Sequence, residues 1–416
     1  MFQNVFKPRF LKNYLSTMLF ITGGWYYCFY ISSWHQGMLG SSLRMPIFNS
    51  TRDFLVENLL GPFHDWIVSV VPSGILDTIP DPLAGVLTAA ALGETVTLTA
   101  PFLFKVLVLA YAVILIRFYL KYPWIHSKAM IFVRGVWLGM SRDPEKVRTG
   151  KKKRVFPGKE KISTQTKQAG LALLLKFFFA PLMINWCLGH VADMANSSSN
   201  VWIDGIVGNM SGRILFDQHL FWALFQAILF IDTLLFTLGY IIETPALKNR
   251  IVSVEPTFLG WFFCLACYPD FNKGTSVMLD WNSTDFPSFT NDEIHLVMNC
   301  SILVLMGVYS WASVALGFRA SNLTNRGIVT TGPYRFIRHP AYVAKNMAWW
   351  IGSMPFIYLG FSHSFKEGMW VLFCRCAWSF IYAMRAITEE RHLRRANNGY
   401  AEYAQKVRRR FIPGVI

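Results

Sequence analysis

Long apolar runs separated by short charged loops set the pattern of this chain. About 20 apolar residues in a helix cross roughly 30 Å of hydrocarbon. Runs approaching that length predict helices over residues 14–33, 96–120, 169–191, 221–242, 296–318, 342–360 and 369–387. The stretch 251–268 is shorter and contains Glu255 and Pro256, so it reads as a tilted or re-entrant span. Counting it gives about eight spans and predicts an all-α, polytopic membrane fold. The run 129–140 is too short to cross and reads as interfacial or packed on the bundle.

The loops alternate in charge. Segment 35–95 carries Asp53, Glu57, Asp65, Asp77, Asp81 and Glu94 against Arg44 and Arg52, while the loop 121–167 is densely basic. The connections 193–217 and 270–293 are acidic again. Basic loops stay on the cytoplasmic side, which places both termini and the basic loop in the cytoplasm. Lys7, Arg9 and Lys12 precede the first run, which reads as a retained signal-anchor helix.

Composition agrees with a bilayer setting: 53% of residues are hydrophobic, 15% are charged and mean hydropathy is +0.33. A soluble chain of 416 residues could not bury so much apolar surface. The net charge of +16 does not point to nucleic acid, because the basic residues sit in loops without interleaved aromatics. The seven cysteines lie mostly in apolar runs, and "CLAC" (Cys264, Cys267) and "CRC" (Cys374, Cys376) lack a second ligand pair at zinc spacing. No metal site is expected.

The chemistry gathers near the C-terminus, in "TTGPYRFIRHPAY" (330–342) and "RAITEERHL" (385–393). Pro340 suits a first helical position, with His339 at the cap and free backbone amides beside it at the membrane surface. Tyr342 lies three residues on, so the two rings border one pocket. Arg385 and Glu389 sit four apart on one helix face, as an ion pair or as pocket residues. For a reaction that has to take up a proton, as from an amine, Glu390 and His339 are the nearest candidate bases.

Taken in order, "LTNRGIVTTGPYRFIRHPAY", an apolar hairpin, "TEERHL", "YAEYAQKV" and "RFIP" resemble the isoprenylcysteine carboxyl methyltransferase family of integral-membrane methyltransferases. The resemblance divides the chain into an N-terminal membrane region, 1–290, of about five spans with no assigned role, and a methyltransferase core, 291–416. It implies that S-adenosyl-L-methionine occupies a cytoplasm-facing pocket closed by the hairpin and the C-terminal segment. It further implies that a lipid or lipid-linked acceptor enters from the bilayer. Position by position, Val329, Tyr334, His339, Pro340, Ala341 and Tyr342 would line the cofactor pocket. Glu389 would hold the cofactor's charged methionine portion, and Arg385 matches the catalytic arginine near the acceptor. "NNGYAEY" is one residue shorter than the family pattern, which leaves the roles of Tyr400 and Tyr403 open. The alternatives are an NADPH-dependent reductase of the membrane sterol type, whose C-terminal core is related, and a non-catalytic scaffold or transporter.

Overall fold

Helix starts are written in the polar residues that flank the apolar runs. In the computed structural model, which describes residues 8–32, 43–44, 97–98, 100–139, 163–208, 210, 212–269, 271–396 and 399–411, Ser163, Asn291 and Ser364 each cap a helix. Their side chains accept the amides of Thr166, Ile294 and Glu367, satisfying donors that a helix end leaves open. The helices in chain order are α1 (Pro8–Tyr26), α2 (Ala100–Lys121), α3 (Lys128–Gly139), α4 (Thr164–Gly205) and α5 (Gly212–Ile241). They are followed by α6 (Phe258–Leu265), α7 (Phe271–Met278), α8 (Asp292–Arg319), α9 (Pro340–His363), α10 (Phe365–Arg395) and α11 (Tyr400–Lys406). Among the described residues α4, α5, α8 and α10 are long and apolar enough to cross a membrane. The expected runs near 14–33, 96–120 and 342–360 are also helical, as α1, α2 and α9. The acidic segment 35–95, apart from residues 43–44, and the basic stretch 142–161 lie outside the described residues.

One expected element takes another form. Besides the antiparallel pair β1 (Leu43–Arg44) and β2 (Thr97–Leu98), the chain forms a two-residue strand β3 (Ser253–Val254), then α6 and α7, so no single helix covers 251–268. Glu255 and Pro256 break the start, and the Glu255 carboxylate turns inward to accept the amide and hydroxyl of Thr257. Eight helical residues span only about 12 Å. Yet β3 pairs antiparallel with β4 (Thr324–Asn325), just past the C-terminal end of α8, and the chain must then reach the N-terminal end of α8, about 40 Å away. It covers that length as two short helices and an extended stretch, in which the Thr284 amide meets the Gly352 carbonyl of α9 at 3.3 Å. Gly352 is required there: a Cβ would stand 2.1 Å from the Thr284 oxygen.

Packing joins α4 to α5, α5 to α8, α8 to α9 and α9 to α10. The α9–α10 hairpin turns on Ser364 alone, and Gly360 and Gly368 permit its close approach, since a Cβ on Gly368 would strike the Phe361 ring. Phe179 of α4 stacks on Tyr240 of α5 at 5.5 Å, and the Tyr240 hydroxyl accepts the Asn322 amide at 2.7 Å. Gln168 of α4 clamps the Val254 backbone through both amide groups. These bonds gather five helix ends, the N-termini of α4 and α9 and the C-termini of α5, α8 and α10, at one end of the bundle. At the same end, Glu243 pairs with Lys128 and, at 3.1 Å, with Lys176.

Candidate functional site

The turn before α9 is set by Gly332, whose φ of +60° suits glycine and whose Cβ would meet Ala315 at 2.8 Å. Pro340 takes the first helical position and His339 the cap, but the imidazole does not cap the helix. Its Nε2 lies 3.1 Å from Glu390 Oε1, and its ring stacks on Tyr342 at 5.4 Å with a 4° interplanar angle. The Tyr342 hydroxyl donates to Glu389 Oε2 at 2.9 Å. The two ends of the hairpin, some fifty residues apart in sequence, therefore meet.

Glu389 and Glu390 are neighbours with opposite surroundings. Glu390 is buried and accepts from Arg338 at 2.8 Å and from Arg410 Nε and Nη2 at 3.1 and 3.2 Å, in addition to its contact with His339. Glu389 faces a cavity, and among the described residues its only hydrogen bond is from Tyr342. The C-terminal tail lies across the start of α9: the amides of Arg338 and His339 donate to the carbonyls of Arg409 and Arg410 at 3.0 and 3.2 Å, and Phe411 packs on His339. Two sequence expectations change as a result. The His339 ring is bound to Glu390, and Glu390 also to Arg338 and Arg410, so both candidate bases are already engaged. The tail also consumes amides at the cap, leaving those of Ala341 and Tyr342 as the ones a ligand could reach.

Arg385 and Glu389 do not form the helix-face ion pair that their spacing allows. Arg385 is 9% exposed, donates through Nη2 to Asn322 Oδ1 at 2.6 Å, and lies over the rings of Tyr342, Tyr268 and Tyr382 at 5.1, 5.4 and 5.9 Å. Its charge is held by aromatic faces.

A cavity of about 420 Å³ brings together Val329, Tyr334, His339, Ala341, Tyr342, Arg385 and Glu389. Pro340 is buried in α9 and does not line it. Tyr400 and Tyr403 do, and the Tyr403 hydroxyl holds the Tyr334 carbonyl at 2.7 Å. The cavity also runs inward between helices of the N-terminal region, past Trp186 and His190 of α4 and Asp232 of α5, to Tyr309 and Ser313 of α8 and Lys345 of α9. Both Asp232 oxygens are occupied, Oδ2 by the Tyr309 hydroxyl at 2.5 Å and Oδ1 by Ser313. The sequence reading missed these inner residues, although charges such as Asp232 in "ILFIDTLLF" and Lys345 in "AYVAKNMAWW" are costly inside apolar helices and mark sites by default.

Residues 294–395 match the model of the Isoprenylcysteine carboxyl methyltransferase (ICMT) family. The chain carries an ICMT-like core. The match spans about a quarter of the chain, from the first turn of α8 to the end of α10, and contains every candidate site residue named from the sequence. The inner residues Trp186, His190 and Asp232 lie outside the ICMT match, as do Tyr400, Tyr403 and Arg410. No curated protein and no solved structure matches the chain significantly. Membrane methyltransferase activity is what an ICMT-like core implies.

Proposed function

We propose that this protein transfers a methyl group from S-adenosyl-L-methionine to a lipid or lipid-linked acceptor at the cytoplasmic face of a membrane. The observation that carries the reading is the shared cavity. His339 and Tyr342 from the start of α9 and Glu389 from the end of α10 line one space of a size usual for small-molecule sites. The residues fit the donor. Glu389 offers a carboxylate oxygen with no hydrogen bond among the described residues, suited to the ammonium of a methionine portion. Tyr334, which also lines the cavity, adds an aromatic ring that can border a cation.

When bound, S-adenosyl-L-methionine supplies an electrophilic methyl group on a sulfonium. The protein's own residues then have three tasks: to align donor and acceptor, to exclude water and to hold the acceptor's reactive atom. Glu389 and Tyr342 hold the donor end. Arg385, fixed by Asn322 and its three tyrosines, faces the acceptor and can engage an oxyanion. The tail, pinned by Arg410 to Glu390 and hydrogen-bonded across the start of α9, holds the two hairpin ends together. Five helix ends lie at this end of the bundle, where the described flanks of the basic 121–167 sequence, α3 and the start of α4, also sit, and the positive charge of that sequence favours the cytoplasmic side.

The direct test is incubation of the purified full-length protein with labelled S-adenosyl-L-methionine and a total membrane lipid extract. A labelled lipid product is expected. Tight binding of NADPH, with no binding of S-adenosyl-L-methionine, would instead assign the reductase alternative.

A further inference from the structure

The inner half of the cavity lies beyond the residues assigned to the donor. It is walled largely by residues 183–236 of α4 and α5, outside the family match, and closed on the other side by Tyr309 and Lys345. Lys345 stands one helical turn beyond Tyr342 on the same face of α9, so it lies deeper in the bundle than Arg385, which rests over the Tyr342 ring. Its ammonium sits 5.0 Å from the Tyr309 ring centre and 5.2 Å from that of Trp349. Among the described residues it makes no ion pair within 4 Å and no hydrogen bond. Asp232 and Asp285 are the acids whose fields reach it, but Asp232 already receives two hydroxyls. Trp349 in turn touches Tyr382 at 5.1 Å, and Tyr382 borders Arg385. One aromatic pair thus separates two cations, neither of which has a carboxylate partner.

We infer that the inner cavity is an acceptor-headgroup subsite built between the methyltransferase core and the N-terminal region, with Lys345 as its anion-binding residue beside Arg385. This rests on the methyl-transfer reading for the identity of the outer half only. The ligand chemistry is an oxyanion on an apolar anchor, either a carboxylate or a phosphate. Such an acceptor suits a site whose nearby candidate bases are already bonded. A new C–O bond forms from the oxyanion lone pair, the methyl C–S bond breaks with its electron pair returning to sulfur, and no proton moves. The N-terminal region then has a role: Trp186, His190 and Asp232 shape which headgroup enters.

The test measures binding of labelled oleate, dioleoyl phosphatidic acid and dioleoylglycerol to the full-length protein in neutral detergent. Lys345→Met is expected to weaken at least one of the two anionic probes by about tenfold or more, to leave dioleoylglycerol unchanged, and to be restored by Lys345→Arg. The probe that responds identifies carboxylate or phosphate. Asp232→Asn is expected to retain anion binding, whereas a purely structural Asp232–Lys345 partnership would make Asp232→Asn and Lys345→Met lose thermal stability alike. Unchanged binding of both anionic probes by Lys345→Met, absence of anionic binding to the wild type, or an equal loss for dioleoylglycerol overturns the inference. Calorimetry with S-adenosyl-L-methionine separates the two readings. Lys345-dependent lipid binding without donor binding refutes methyl transfer and leaves the subsite standing, while loss of donor affinity in Lys345→Met removes Lys345 from the acceptor side.

Discussion

The two halves of the cavity solve the problem of buried charge in opposite ways. In the outer half one buried carboxylate, Glu390, is shared among Arg338, His339 and Arg410. Deeper in the cavity Lys345 and Arg385 rest on aromatic rings, and among the described residues neither forms an ion pair with a carboxylate. Breaking a buried pair leaves an uncompensated charge and is strongly destabilising, so the outer network fixes the hairpin ends and the tail as one rigid rim. Cations held by π faces rather than by a carboxylate remain available to an anionic ligand. The difference separates residues that hold the site in shape from residues that do its binding, even where, as with Glu389 and Glu390, they are adjacent in sequence.

The comparison can be pressed by mutation, and the largest effect belongs to the rim. Glu390→Gln leaves Arg338 and Arg410 without their carboxylate and is expected to cost about 3–5 kcal/mol, read as a lowered denaturation midpoint in detergent; a change below about 1 kcal/mol would show that the network is not structural. Next comes Glu243, which ties α3, α4 and the end of α5 together beneath the site. Burial pushes its carboxyl pKa up, but Lys176, Lys128 and Arg326 outweigh burial and hold it well below the usual carboxylate value. A depressed folded-state pKa means that its stabilisation is complete above the unfolded value near 4.5 and is lost as pH falls below it. Glu243→Gln should therefore cost about 2 kcal/mol at neutral pH, less than Glu390→Gln because its carboxylate is 15% exposed. The variant should also flatten the acid limb of a stability-against-pH curve, and an unchanged limb would remove Glu243 from acid unfolding. Arg385→Ala should lower turnover about tenfold or more, roughly 1.4 kcal/mol of transition-state stabilisation, with little change in donor affinity; a large loss of donor affinity would move Arg385 to the donor side. The smallest effect is expected at the opposite end of the bundle. Asp292, 75% exposed and paired with Arg213, should be replaceable by Asn with no measurable shift in the melting temperature.

Much of the outer half was legible in the sequence because its chemistry is carried by short-range signals. Gly332 before Pro333, Pro340 after His339, and charges at a helix exit each have a local physical reason, and their conjunction pointed to one pocket. The helices themselves were legible from apolar runs, as the positions of α4, α5, α8 and the α9–α10 hairpin show. Three things were hidden because they depend on long-range contact. The pairing of β3 with β4 and the extended passage past Gly352 turn the expected span near 251–268 into broken pieces. The return of the tail to the α9 start, which takes up Glu390, joins residues about seventy apart. The inner residues His190, Asp232 and Lys345 come from three helices, and no spacing along the chain relates them.

The central claim is that the two hairpin ends enclose the methyl donor, and calorimetric titration of the purified wild type and Glu389→Gln with S-adenosyl-L-methionine tests it most directly. Saturable binding to the wild type is expected, with affinity reduced about a hundredfold in a variant that keeps its melting temperature. Equal affinity for both proteins, or no binding to the wild type, would contradict it.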